Sequence, residues 1–338
     1  MKAVEIRDAF GFEHLAVVDR PDPAPGAGQV LVKVKAVSLN YRDLLTIQGF
    51  YNPKQPLPLV PCSDGAGEVV DIGEGVTRVQ IGDRVAGCFA QGWIAGPPTR
   101  AKLLSTTLGG PLDGMLSEYV VLREDGVVPV PPHLNDEEAA TLPCAGLTAW
   151  SALARHGQLK PGETVLALGT GGVSIFALQF ARMMGAQVIV TSSSDEKLER
   201  AKELGAAHTI NYAKNPHWSK QVREITGGDG VDHIIEVGGT GTLTQSMRCV
   251  KMGGTISLIG VLSGPEAPLN LTPVLMQDVR IQGVIVGHRE SFEDMNRAIS
   301  LHGLKPVIDK AYPMRDIYNA VEFMAAGKHF GKVCVRVA

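Results

Sequence analysis

Two hydropathy textures divide the chain. Up to about residue 125 the apolar stretches are short and broken by Gly, Pro and Asp, as at 29–36, 65–72, 83–89 and 117–122. Short alternating runs between turn residues predict a compact, barrel-like β domain. Within it, residues 93–114 hold a Pro-Pro pair, a Gly-Gly pair and no periodicity. A loop of that length inside a compact domain is expected to be functional or mobile. From about residue 160, continuous Val/Ile/Leu runs alternate with helical patterns. Strands are predicted over 164–169, 187–192, 208–212, 232–237, 255–261 and 280–286, with helices such as 173–184 and 195–204 between them. Strands apolar on both faces belong to parallel sheets covered by helices. Six of them in alternation predict an α/β, doubly wound nucleotide-binding fold. The chain closes with helical patterns over 292–301 and 315–325 and an apolar strand over 332–337.

Composition narrows the function classes. A length of 338 residues suits about two domains. A net charge of −3 without a basic patch gives nucleic acid no electrostatic footing. No apolar run reaches the ~18 residues of a membrane helix, and residues 1–8 alternate like a strand instead of forming a signal-peptide core. The five cysteines are scattered, with no CxxC pair, which reads as reduced thiols in a cytoplasmic protein. The expected partner is a small-molecule substrate, not nucleic acid or a membrane.

The first strand of the second half runs into Gly169-Thr170-Gly171-Gly172-Val173-Ser174. Gly169 permits a sharp turn, and Gly171 and Gly172 let backbone N–H groups approach a pyrophosphate at the next helix's start. Ser174 stands where a third glycine is common and is small enough for close helix–strand packing. A glycine pattern alone is weak; following a strand and opening a helix makes it a dinucleotide fingerprint. NAD sites place an acid about 20 residues on, bonding the ribose 2′-OH. Here that strand ends in Thr191-Ser192-Ser193-Ser194. Ser192, Ser193 and Lys197 suit a 2′-phosphate, so NADPH is expected over NADH; Ser194 also reads as a helix N-cap. Gly260, Val261 and Val286 end later strands, at the carboxyl edge where the nicotinamide is expected.

The chain resembles the zinc-free, quinone oxidoreductase-like branch of the medium-chain dehydrogenases/reductases along its whole length. The carriers are Val37-Ser38-Leu39-Asn40-Tyr41-Arg42-Asp43, Pro61-Cys62-Ser63-Asp64-Gly65-Ala66-Gly67-Glu68-Val69, Gly75-Val76-Thr77 through Gly82-Asp83-Arg84-Val85, and Leu142-Pro143-Cys144-Ala145-Gly146-Leu147-Thr148-Ala149. The resemblance implies a GroES-like β-barrel substrate domain, residues 1–125 and 290–338, with a Rossmann domain, residues 126–289, inserted. It also implies a homodimer or dimer of dimers joined through the strand at 280–286. Zinc members hold their catalytic metal with a Cys, a His and a second Cys or Asp. Those positions resemble Asn40, Ser63 and Cys144, so no zinc is expected, because tetrahedral zinc needs three protein ligands. Cys62 would face away from Ser63 if both lay on a strand. By the same resemblance Thr148, Tyr212 and Lys332 lie near the cofactor, and Asn40 bonds the nicotinamide ribose or the substrate.

Without a Lewis acid, the natural chemistry is hydride transfer from NADPH to a quinone or an α,β-unsaturated carbonyl. Charge then builds on a conjugated oxygen, which needs donors in place. Tyr51, Asn40 and Arg42 are the candidates. Tyr51 resembles a proposed proton donor of enoyl-thioester reductases, or it only shapes the pocket. Asp43 is expected to buttress the loop, and Ser63 and Asp64 to orient Asn40 or cap a turn. Two other readings stay open: an alcohol dehydrogenase of the same superfamily, and a dinucleotide-binding sensor with little turnover.

Overall fold

The computed structural model describes residues 1–266 and 268–337. It divides into two compact units, Met1–Leu147 with Val286–Ala338, and Thr148–Ile285. The first unit begins with seven strands: β1 (Lys2–Ile6), β2 (Leu15–Asp19), β3 (Gln29–Ser38), β4 (Asp64–Ile72), β5 (Arg84–Gly87), β6 (Tyr119–Arg123) and β7 (Val127–Pro129). The second unit supplies β8 (Thr164–Leu168), β9 (Gln187–Ser192), β10 (His208–Asn211), β11 (Val231–Glu236), β12 (Val250–Leu258) and β13 (Arg280–Gly283). The chain then returns to the first unit with β14 (Ile308–Pro313) and β15 (Lys332–Arg336). The units meet in sequence at Leu147, not near residue 125, because β7 pairs antiparallel with β5 and stays with the barrel.

In the first unit the sheet order is β14-β15-β3-β4-β5-β7, with β6 also on β3. On β3, Val30, Val32, Val34 and Val37 point into a core shared with Val69, Val85, Leu122, Val333 and Val335. The alternation expected for a half-buried antiparallel strand is therefore present. Strands β3 and β4 approach so closely that a Cβ on Gly67 would lie 2.1 Å from the Lys33 carbonyl oxygen. Register then decides what meets at one end of the sheet. Ser38 faces Asp64 across β3/β4, and Cys334 faces Ser38 across β15/β3. The Leu39 N–H extends that pairing by donating to the Val333 carbonyl at 3.0 Å. Thus the first residues of β4 and β15 and the residues following β3 come together although they are far apart in sequence.

The second unit is a parallel sheet in the order β10-β9-β8-β11-β12-β13. Its order reverses at β8, between β9 and β11, and the glycine turn follows β8. Ligands in such sheets bind at that switch point. Leu166, Leu168, Ile189, Ile234 and Ile256 fill the core under the helices, as their continuous apolar sequence requires. Strand β13 is shorter than its apolar run: it ends at Gly283, and Val286 adopts φ 53°. A β-branched residue in that left-handed region cannot continue a strand. Among the described residues, no helix is long and apolar enough to cross a membrane.

Candidate active site

The short helix Tyr41–Ile47 follows β3 and carries the first candidates. Asp43 is 1% exposed, and its Oδ2 accepts the Asn40 backbone N–H at 2.8 Å. That bond fixes the helix entry and so the position of Asn40, the buttressing role expected for Asp43. Across the β15/β3 pairing, the buried Lys332 donates from Nζ to the Leu39 carbonyl at 2.5 Å and to Asn40 Oδ1 at 2.7 Å. Asn40 is 8% exposed, and its Nδ2 turns to the Asp64 carboxylate in a bond of poor geometry.

Asp64, fully buried at the start of β4, links the other motif residues. Its Oδ1 accepts the Ser63 hydroxyl at 2.7 Å, and its Oδ2 accepts the Cys144 N–H at 2.9 Å. Burial pushes its carboxyl up to about 6, against the opposing pull of Lys332 and the Ser63 hydroxyl. Burial raises Asp43 as well, with Arg42 acting the other way. The Cys144 thiol is pushed far above its ordinary range by burial and next by Asp64, so it stays protonated. Cys62 does not alternate with Ser63 along a strand as expected. It lies ahead of β4, outside any strand, at φ 70°, a strained conformation of the kind that collects at functional sites.

Arg42 is buried and faces the loop of residues 93–114. Its guanidinium donates to the Leu108 carbonyl at 3.0 Å and reaches those of Gly109 and Gly110 at 3.5 Å. It also lies 4.8 Å from the Tyr51 ring centroid and 5.0 Å from that of Phe89. Arg42 thereby ties an irregular loop to the helix and seats Tyr51. Tyr51 is 50% exposed, and its hydroxyl lies within reach of the Arg42 guanidinium.

The remaining candidates lie in the second unit. Gly169 has φ 75°, and a Cβ on Gly169 or Gly171 would meet nothing within 4 Å. The turn is therefore an open cradle at the start of the twelve-residue helix Gly172–Met183, fit for a pyrophosphate. Ser174 is buried and donates its hydroxyl to the Leu168 carbonyl at 2.6 Å, so it serves close packing as the third glycine would. Thr170 and Thr148 are also buried, while Gly172 and Val173 are partly exposed. At the end of β9, Ser192 is buried and its Oγ accepts the Ser194 N–H at 3.2 Å; Ser194 caps the next helix at Lys197. Ser193 and Tyr212 are exposed. Two neighbours escaped the sequence reading. Asn211 and Lys214 hold the Asp195 carboxylate at 2.7 and 2.5 Å and close this corner. Gly260 packs against the Val237 carbonyl, 2.7 Å from where its Cβ would be, and Val261 beside it is exposed.

With this geometry in hand, the likeness to known proteins is specific. The family Alcohol dehydrogenase GroES-like domain matches residues 26–132, and Zinc-binding dehydrogenase matches residues 172–301. The chain is 45% identical to the zinc-type alcohol dehydrogenase-like protein C1773.06c of Schizosaccharomyces pombe, covering 97% of this chain and 96% of that protein. It is 35% identical to a quinone oxidoreductase of Pseudomonas aeruginosa, over 80% of this chain and 76% of that one. Its fold matches a putative alcohol dehydrogenase from Sinorhizobium meliloti 1021 at a TM-score of 0.93 and 43% identity, covering 99% of this chain and 98% of the other. A mycobacterial protein solved in complex with NADPH matches at 0.83 and 27%, covering both chains completely. The chain belongs to the medium-chain dehydrogenase/reductase family. It is an NAD(P)H-dependent oxidoreductase.

Proposed function

We propose that this enzyme uses NADPH to reduce a quinone or an α,β-unsaturated carbonyl compound, without a metal. The observation that carries this reading is the chemistry of the three positions where zinc relatives place ligands. The amide oxygen of Asn40 is taken by the Lys332 ammonium, the Ser63 hydroxyl donates to Asp64, and Cys144 alone of the three is an ordinary zinc ligand. A divalent cation there would face the Lys332 ammonium, and it would lack the three donors tetrahedral zinc requires. These residues do not fit zinc, and the site is one of hydrogen-bond donors.

Such a site suits a substrate on which negative charge develops at oxygen. The bound dinucleotide supplies the hydride. The chain's own residues do the rest: the Asn40 amide and the Tyr51 hydroxyl donate to the developing oxyanion, and Tyr51 Oη can release its proton to it. Arg42 holds Tyr51 and the loop at Leu108 in place. NADPH is favoured by the serine run at the end of β9, which offers hydroxyls where an NAD site would offer an acid. Relatives named acryloyl-coenzyme A reductase and quinone oxidoreductase support the substrate class. The second reading, a zinc alcohol dehydrogenase, rests on relatives named alcohol dehydrogenase and on the zinc-binding family match.

One experiment separates them: turnover of quinones, enals, enoyl thioesters and alcohols with each cofactor, before and after chelation, beside elemental analysis. The proposal expects NADPH-dependent reduction that survives chelation. Stoichiometric zinc, or alcohol oxidation lost on chelation, would establish the second reading.

A further inference from the structure

The most unusual group in the first unit is Lys332. An ammonium 4% exposed is rare unless paired, and this one is anchored to a carbonyl and a side-chain amide oxygen. It lies within electrostatic reach of Asp43, Asp64 and Cys144. Arg42 sits 3.5 Å from Asp43. Two buried cations thus stand among two buried carboxylates, and the cluster is balanced without any added ion. The direction of one bond matters most. Because Nζ can only donate, Asn40 Oδ1 must accept, and the Asn40 Nδ2 is left as a donor. That Nδ2 has the Asp64 carboxylate as its acceptor within the chain, in a bond of poor geometry. An amide nitrogen carries two N–H donors, so beside the one turned to Asp64 a second remains for a ligand oxygen.

We propose that Lys332 is a positioning residue that locks the Asn40 amide with its N–H groups toward the substrate oxygen, and that its ammonium supplies the positive charge which metal-dependent relatives obtain from their ion. The substrate class is accordingly one presenting an acceptor oxygen that gains negative charge, a carbonyl or quinone oxygen, and this rests on the function proposed above. Asn40 touches that oxygen, and Lys332 acts through Asn40. The same polarisation strengthens the amide as a donor, since a charged partner on Oδ1 draws electron density from Nδ2.

Lys332→Met, Lys332→Arg and Asn40→Asp test the assignment in the full-length enzyme. Losing one oxyanion donor costs about 100- to 1000-fold in kcat, so a misdirected amide in Lys332→Met is expected to cost at least about 10-fold. KM and the NADPH dissociation constant should stay within about 3-fold. Lys332→Arg, which keeps charge and donors, should recover part of kcat, and Lys332→Met should add little to Asn40→Asp. An unchanged kcat in folded Lys332→Met, or full additivity with Asn40→Asp, overturns the proposal. If Lys332→Met does not fold, Lys332→Gln, which retains an N–H for Oδ1, takes its place with the same criteria. A readout free of substrate keeps the two proposals apart. The Asn40 side-chain amide resonance, identified by its loss in Asn40→Asp, should shift in substrate-free Lys332→Met. If it shifts while no quinone or enone is reduced, the substrate assignment fails and the role of Lys332 stands. If it does not shift, Lys332 does not position Asn40, whatever the enzyme reduces.

Discussion

Asp64 is a buried carboxylate whose charge is tolerated, not favoured. Burial raises its pKa to about 6, so between about pH 4 and 6 the folded enzyme binds a proton that the unfolded chain has released. Stability from this group is therefore greatest at low pH and falls as pH rises through that window. A rise of about two units corresponds to roughly 3 kcal/mol. Asp64→Asn keeps an acceptor for the Cys144 N–H and removes the titration. Measured by urea unfolding, the stability of Asp64→Asn relative to wild type should rise by up to about 3 kcal/mol between pH 4 and pH 7. A difference that stays flat with pH would show that Asp64 ionises freely. Tyr51, half exposed, belongs to the other extreme. Tyr51→Phe should lower kcat about 100-fold, the scale of a general acid, with stability within about 0.5 kcal/mol. Retained kcat would reduce Tyr51 to an aromatic wall. Both residues are visible in the sequence, because motif spacing brings attention to 40–43, 51 and 62–64. The Lys332–Asn40 bond is not visible there. It joins residues 292 positions apart, and only the β15/β3 register makes them neighbours.

At the level of elements, the second unit was the more legible. A strand buried on both faces must be continuously apolar, and that signal survives in one sequence. β8 and β9 fall where their apolar runs predict. β12 begins earlier than its run, at Val250, because parallel pairing to Val231 recruits residues across a register shift. β13 stops early for the backbone reason already given at Val286. β14 was not legible at all: only Ile308 and Ala311 are aliphatic in it, and it exists by pairing with β15. The element with the clearest functional consequence is the turn from β9 into its helix. Ser192→Asp should invert cofactor preference, because the carboxylate repels a 2′-phosphate and accepts from a 2′-OH. Lys197→Ala should weaken NADPH and spare NADH. A charge-assisted bond to phosphate contributes about 1.5–3 kcal/mol, or roughly a 10- to 150-fold preference. Dissociation constants for both cofactors with wild type and both variants check this. Equal wild-type affinities, with both weakened alike in Lys197→Ala, would leave the serines as a helix cap only.

For the molecule as a whole, the open question raised by the fold is what lies beyond β13. This strand ends the sheet order, and an edge presents unpaired backbone donors and acceptors. Proteins that stay monomeric blunt such an edge with charge or cover. Here the residues around it are apolar and open: Leu275 is 81% exposed, Met276 69%, Leu271 64% and Ile285 56%. Exposed apolar side chains beside a sheet edge suit an interface, and a twofold axis lets one surface serve both copies. The expected assembly is therefore at least a dimer, joined edge to edge through β13 and flanked by these side chains. Sedimentation at micromolar concentration should give a mass of two or more chains. Leu271→Asp with Leu275→Asp should release monomers, since each places a charge in an apolar contact, while NADPH affinity changes little because neither residue lies at the glycine cradle or among the candidate nicotinamide contacts. A wild type that sediments as a monomer refutes the assembly. A double variant that remains dimeric places the interface on another face.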